Sequence, residues 1–143
     1  MSKVVAIASD HAGVELKALV KAELEGMGLS VVDLGTQGTD SVDYPDFADA
    51  VAAALKNGKA AQGVLICGTG IGISMAANRH RHIRAAVCHD AASARLTRAH
   101  NDANVLALGA RLIGPEAARD CVRTFFTTAF EGGRHQRRID KLS

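Results

Sequence analysis

The run Cys67-Gly68-Thr69-Gly70-Ile71-Gly72-Ile73-Ser74 concentrates residue types that chemistry needs: a thiol, glycines at alternate positions and two hydroxyls. Just before it, Val64-Leu65-Ile66 is a continuous aliphatic run of the kind found in a strand buried on both faces. Just after it, Ile73-Ser74-Met75-Ala76-Ala77-Asn78 reads as a helix. A strand that passes through glycines into a helix turns backbone N–H groups toward one point, and such a point holds anions. Neither common nucleotide loop fits. A phosphate loop of the Gly-x-x-x-x-Gly-Lys type needs a lysine, and none lies between Cys67 and Asn78. A Gly-x-Gly-x-x-Gly loop fails at Ile73 and belongs after the first strand, where this chain has Ser9-Asp10-His11. What remains is an anion cradle with a thiol at its lip.

The elements that must carry this cradle emerge from periodicity. Val4 to Ala8 is a short apolar strand, and Ser9-Asp10-His11-Ala12-Gly13 turns it into a helix that Ser9 or Asp10 can cap. Leu16, Leu19, Val20, Leu24 and Met27 form that helix's inward stripe. Val31 to Leu34 is a second strand. A polar loop then leads to Asp43-Tyr44-Pro45, where proline suits a helix's first turn, and Phe47, Val51, Ala54 and Leu55 face inward. The cradle strand is third. Ala85 to Cys88 is a fourth strand, Ala91 to His100 a helix capped by Asp90, and Val105 to Leu108 a fifth strand. Gly114-Pro115 opens a last long helix that carries Val122, Phe125, Phe126 and Phe130 inward. Gly132-Gly133 ends it, and a basic tail comes after. Strands alternating with helices predict one α/β domain over residues 1–143: a three-layer α/β/α doubly wound sandwich with a five-stranded parallel sheet in the order 2-1-3-4-5.

In such a sheet the ligand crevice lies at the carboxyl ends of the strands, where the strand order reverses. That rule brings Asp10-His11 beside Cys67-Gly68. His100-Asn101 and Arg134-His135 pose a problem, because the last residues of a crossover helix lie at the opposite edge of the sheet. Either they are structural or a second subunit presents them to the site. Arg134 and Arg138, four apart, share one helical face and suit a single phosphate. Arg137 points elsewhere.

Composition narrows the function classes. With 48% hydrophobic and 22% charged residues, 143 residues can bury a proper core. Aromatics at 3% argue against single-stranded nucleic acid platforms, and a net charge of +2 is too small to imply a nucleic acid partner. The Arg79–Arg84 cluster is read as a solvated loop. Met1-Ser2-Lys3 leads straight into an apolar strand, so no signal peptide is expected, and no apolar run is long enough to span a membrane. Cys67, Cys88 and Cys121 are an odd number without metal-ligand spacing, which fits a reduced, cytoplasmic protein. Cys88 and Cys121 are expected to be packing residues.

Five ordered segments then stand together: Ser9-Asp10-His11-Ala12-Gly13, Asp43-Tyr44-Pro45, Cys67 to Ser74, Ala99-His100-Asn101-Asp102 and Glu131-Gly132-Gly133-Arg134-His135. They resemble the type B ribose-5-phosphate isomerases, a family that also holds the galactose-6-phosphate isomerase subunits, and the resemblance covers nearly the whole chain. It implies an aldose–ketose isomerase that works without metal or organic cofactor, as a homodimer or tetramer with sites shared between subunits. By the same resemblance Cys67 is the base that moves a proton between C1 and C2, and Thr69 assists it. Some relatives use a glutamate further along the loop; here the cysteine is present and position 74 is serine. Amides from Gly68, Gly70 and Gly72 to Ser74 hold the enediolate oxygen. His100 opens the furanose ring with Asn101 beside it. Arg111, Arg134 and Arg138 hold phosphate with His11 and His135 nearby, and Asp10 and Tyr44 contact the sugar. Ribose 5-phosphate is the expected substrate, with erythrulose 4-phosphate, allose 6-phosphate and galactose 6-phosphate as alternatives. A flavodoxin-like module binding flavin or nucleotide is the other class, and the scarcity of aromatic rings to stack on counts against it.

Overall fold

Five parallel strands make one sheet in a computed structural model that describes residues 3–142. In chain order the elements are β1 (Val4–Ser9), a 3₁₀ turn (His11–Gly13), α1 (Val14–Gly26), β2 (Ser30–Asp33), α2 (Tyr44–Lys56) and β3 (Gln62–Cys67). Then come α3 (Ile71–Ala77), β4 (Ala85–Val87), α4 (Ala91–Asn101), β5 (Val105–Gly109), α5 (Pro115–Thr127) and α6 (Arg134–Asp140). The α/β/α class is as expected, but the strand order is β2-β1-β3-β5-β4, so the last two strands are exchanged relative to 2-1-3-4-5. The reason is burial. Val105-Leu106-Ala107-Leu108-Gly109 is buried along its whole length, whereas all three residues of β4 stay partly exposed. An inner position in a parallel sheet needs apolar residues on both faces, and a short strand belongs at the edge.

That order and right-handed crossovers together fix the two helical layers. The chain moves one way from β1 to β2 and from β4 to β5, and the other way from β2 to β3 and from β3 to β4. Helices α1 and α4 therefore share one face, and α2 and α3 the other. On the first face Val20, Leu24, Cys121, Val122 and Phe125 pack against Val5, Ile7, Val64, Ile66, Leu106 and Leu108. On the second, Ala48, Val51, Ala52, Ile73 and Ala77 meet Ala6, Ala8, Leu65, Cys67, Val105 and Ala107. The alanines on the second face let the helices approach closely.

Two regions differ from the sequence reading. The last long helix stops at Thr127 rather than at Gly132, and Phe130 lies beyond it. The Thr127 and Thr128 hydroxyls donate to the carbonyls of Arg123 and Thr124 at 2.6 Å each, the local competition that loosens a helix end. The basic tail forms α6, in keeping with the one helical face read for Arg134 and Arg138, and it is docked by the buried His135 and Ile139. Within the apolar stripe of α1, Lys17 is 2% exposed. Its Nζ meets Asp33 Oδ1 at 2.6 Å and Gln37 Oε1 at 3.3 Å, and the same Asp33 oxygen accepts the Gly35 N–H at 2.9 Å. A buried ammonium is tolerable only with such partners. The cluster ties α1 to the start of the loop that leads to α2.

Candidate active site

Strand β3 is central and ends in Cys67, and the loops after β1 and β5 close on it from both sides. The Asp10 N–H donates to the Ile66 carbonyl at 3.1 Å, the Ala110 N–H to that of Cys67 at 2.9 Å, and the Arg111 N–H to that of Gly68 at 2.9 Å. Asp10 caps the 3₁₀ turn by accepting the Ala12 N–H at 3.0 Å. Its neighbour His11 accepts the Val42 N–H on Nδ1 at 3.1 Å. That bond fixes the loop before α2, so Tyr44, the first residue of α2, arrives with its ring against Gly72. The Arg111 guanidinium lies beside Gly68. Asp10, His11, Tyr44, Thr69 and Arg111 thus stand around the end of β3, and Asp10-His11 beside Cys67-Gly68 is the neighbourhood that the switch-point rule required.

Inside the cradle, the Gly70 N–H donates to Cys67 Sγ at 3.1 Å, and the Ile71 N–H donates to Thr69 Oγ1 at 3.1 Å. Gly70 has φ +78°, and a Cβ there would sit 2.9 Å from the Leu108 backbone, so glycine is needed for the chain's own packing. The sequence reading assigned every amide of the loop to an oxyanion. Three of them, those of Gly70, Ile71 and Ser74, are already engaged within the protein. The first helical bond of α3 runs from Ser74 N–H to Gly70 O, which leaves the N–H groups of Gly72 and Ile73 without intrahelical acceptors. Ser74 is buried, and its hydroxyl donates to the Ile71 carbonyl at 2.7 Å.

The other two thiols sit in the apolar layer of α1, α4 and α5. Burial pushes Cys88 up to about 11 and Cys121 up to about 12, so both are inert near neutrality.

A second group assembles at the amino edge of the sheet, where α4 ends and β5 begins. The His100 ring stacks on that of His135 with centroids 4.5 Å apart. Glu131 Oε1 lies 3.5 Å from His135 Nε2 and 3.9 Å from His100 Nε2, and the Glu131 N–H is tied to the Ala99 carbonyl at 3.0 Å. Asn101, Arg134 and Arg138 are exposed beside them. Cys67 pairs with Gly109 at the far end of β5. The two groups are separated by at least the length of that strand, about 13 Å at the usual rise per residue. The three arginines expected to hold one phosphate therefore fall into two places, Arg111 with Cys67 and the other two with His100. Glu131 stood in one of the five segments quoted above but was given no role by the sequence reading.

Exposed apolar side chains lie on the same loops and helices. Tyr44, Ile71, Met75 and Leu112 are all substantially exposed, Met75 at 64%. No helix among the described residues is long and apolar enough to cross a membrane.

The family model described as ribose/galactose isomerase matches residues 5–142. Ribose-5-phosphate isomerase B of Escherichia coli is 45% identical, over 99% of this chain and 95% of its own length. D-erythrulose-4-phosphate isomerase of Pectobacterium atrosepticum is 42% identical over 96% of this chain and 91% of its own. The crystal structure of a ribose 5-phosphate isomerase from Thermotoga maritima superposes with a TM-score of 0.96 at 53% identity, covering 99% of this chain and 98% of that one.

Proposed function

This chain belongs to the ribose/galactose isomerase family, and from that premise we propose that it interconverts ribose 5-phosphate and ribulose 5-phosphate with Cys67 as the base. It is a sugar-phosphate isomerase of the aldose–ketose class, as its relatives are named. The observation that carries the finer reading is the convergence of Asp10, His11, Tyr44, Thr69 and Arg111 on the end of β3, where the Cys67 sulfur accepts an N–H at 3.1 Å.

Reaction begins when His100, with Asn101, moves the proton that opens the furanose ring to the free aldehyde. The Cys67 thiolate takes the proton from C2, and the C2–H electron pair becomes the C1–C2 double bond while the carbonyl pair moves onto O1. The resulting enediolate oxygen faces the unengaged N–H groups of Gly72 and Ile73. Fixed donors of this kind are typically worth roughly 3 kcal/mol each. The Thr69 hydroxyl, exposed at the lip, shuttles the proton between O1 and O2, and the Cys67 thiol returns its proton to C1. One carbon is oxidised as its neighbour is reduced, so the step balances within the sugar and calls on no external redox partner. Asp10 and Tyr44 orient the sugar hydroxyls.

The site is completed by a second copy. The carboxyl edge of one chain, with its apolar rim of Tyr44, Ile71, Met75 and Leu112, packs on the amino edge of another that supplies His100, Asn101, Arg134, His135 and Arg138. The phosphate is then clasped between Arg111 and His11 from one side and the α6 arginines from the other. A two-fold homodimer built this way holds two such sites.

The test is a coupled assay comparing kcat/KM for ribose 5-phosphate, erythrulose 4-phosphate, allose 6-phosphate and galactose 6-phosphate. Ribose 5-phosphate is expected to lead; the erythrulose 4-phosphate isomerase at 42% identity makes that substrate the second reading. Cys67→Ala should lower turnover by roughly 10²–10⁴, the usual contribution of a positioned base, with sugar-phosphate binding retained. Undiminished turnover in that variant ends the mechanism, and a different leading substrate ends the substrate assignment.

A further inference from the structure

Glu131, His100 and His135 bring one carboxylate oxygen and two imidazole nitrogens within 4.8 Å of one another. Two histidines and a glutamate are a donor set for zinc with a position left open. With bonds of about 2.0–2.1 Å, a tetrahedral zinc holds its ligand atoms roughly 3.4 Å apart; Glu131 and His135 already stand at 3.5 Å, and Glu131 and His100 at 3.9 Å. A second observation points to a ligand. The His135 side chain is nine-tenths buried, and its Nε2 has no hydrogen-bond partner among the described residues although it faces Glu131. A buried polar atom left idle is destabilising, and a bound ion removes that cost. The Glu131 and His100 side chains are 60% and 41% exposed, so the cluster is open to solvent.

We propose that His100, Glu131 and His135 form a site for a divalent transition-metal ion of the zinc class, and that its occupancy inhibits the isomerase. The inhibitory half rests on the roles given above to His100 and His135. The metal takes the nitrogens that ring opening and phosphate binding use, so metal and sugar phosphate exclude one another. Imidazole with carboxylate suits zinc, cobalt, nickel or copper, and magnesium and calcium prefer sites built of oxygen alone.

Cobalt(II), a zinc substitute with visible ligand-field absorption, is the probe. It is titrated into the full-length Cys67→Ala protein, which lacks the thiol at the end of β3 as a competing ligand. One ion per chain with tetrahedral bands is expected, and adding Glu131→Gln should weaken binding by roughly tenfold or more. Absence of stoichiometric binding overturns the site, and so does an affinity unchanged by Glu131→Gln. In parallel, zinc is added to wild type and to Glu131→Gln during ribose 5-phosphate turnover, each compared with its own metal-free rate. Wild type should lose activity, chelator should restore it, and the variant should need roughly tenfold more zinc. Equal inhibition of both places the zinc elsewhere and overturns the regulatory claim. Failure of the isomerase reading would show instead as no turnover in metal-free wild type, an outcome the cobalt titration does not depend on.

Discussion

The Tyr44 ring rests on Gly72 so closely that a Cβ at position 72 would lie 2.7 Å from Tyr44 Cζ. The glycine is there for the tyrosine. Because the clash involves the far end of an exposed side chain, Gly72→Ala should cost little stability, within about 1 kcal/mol, yet swing Tyr44 off the sugar. KM should rise roughly tenfold with a nearly unchanged melting temperature. Gly70→Ala should behave in the opposite way. Its Cβ meets backbone at 2.9 Å and its φ is +78°, so about 1–3 kcal/mol of stability should be lost. Thermal melts and steady-state kinetics on the two variants separate these outcomes; a Gly72→Ala protein with normal KM would remove Tyr44 from the site.

Thiol reactivity should single out one cysteine. Burial holds Cys88 near 11 and Cys121 near 12, so at pH 8 only about one Cys88 in a thousand is a thiolate. An alkylating reagent on the native protein should add one label per chain, at Cys67, with activity falling in step and sugar phosphate slowing both. Peptide mapping checks it. Fast native labelling of Cys88 or Cys121 would contradict the packing described.

How much of this was readable in advance depends on the range of each signal. The junction at Cys67 was legible because an aliphatic run, alternating glycines and a helical stretch are all local. The exchange of β4 and β5 was not, since choosing between two neighbouring edges depends on comparing their burial, and the cue was only the shortness of Ala85-Ala86-Val87. Lys17 carried no local signal, because Asp33, sixteen residues away, is brought to it by the β1–α1–β2 crossover. Glu131 stood in a recognised segment, but its partner His100 lies on another helix. The cradle amides were counted correctly and assigned too generously: which acceptor each one finds is a matter of tertiary geometry.

The Lys17–Asp33 pair should govern acid stability. Burial alone would raise the Asp33 value, but the Lys17 hydrogen bond, the Gly35 N–H, the Lys17 charge and Gln37 together carry it below 3.8. The unfolded state therefore binds the proton first as pH falls. The pair's contribution is fully present above the unfolded value near 3.8 and is lost as pH drops through the lower folded value. Lys17→Ala leaves a carboxylate without its main partner and should cost about 3 kcal/mol at pH 7. Lys17→Met, which keeps the volume, should cost less. In both variants the stability curve below pH 4 should be flatter than in wild type. Denaturant melts between pH 2 and 7 decide it, and an unchanged acid limb would show that the pair plays no part.

The separation of Cys67 from His100 by the length of β5 makes its own prediction about assembly. If each site takes its base from one chain and its ring-opening histidine from another, Cys67→Ala and His100→Ala homodimers both lack every complete site. A hybrid of the two has one site with both defects and one with neither. Random exchange makes half the dimers hybrid, and half the sites in each are whole, so activity should return to about a quarter of wild type above the residual rate of the His100→Ala enzyme. The exchange is verified by native mass spectrometry and the rate measured on the same sample. No recovery after complete exchange would mean that the two residues never meet across an interface, and the amino-edge cluster would lose its place in the isomerase site.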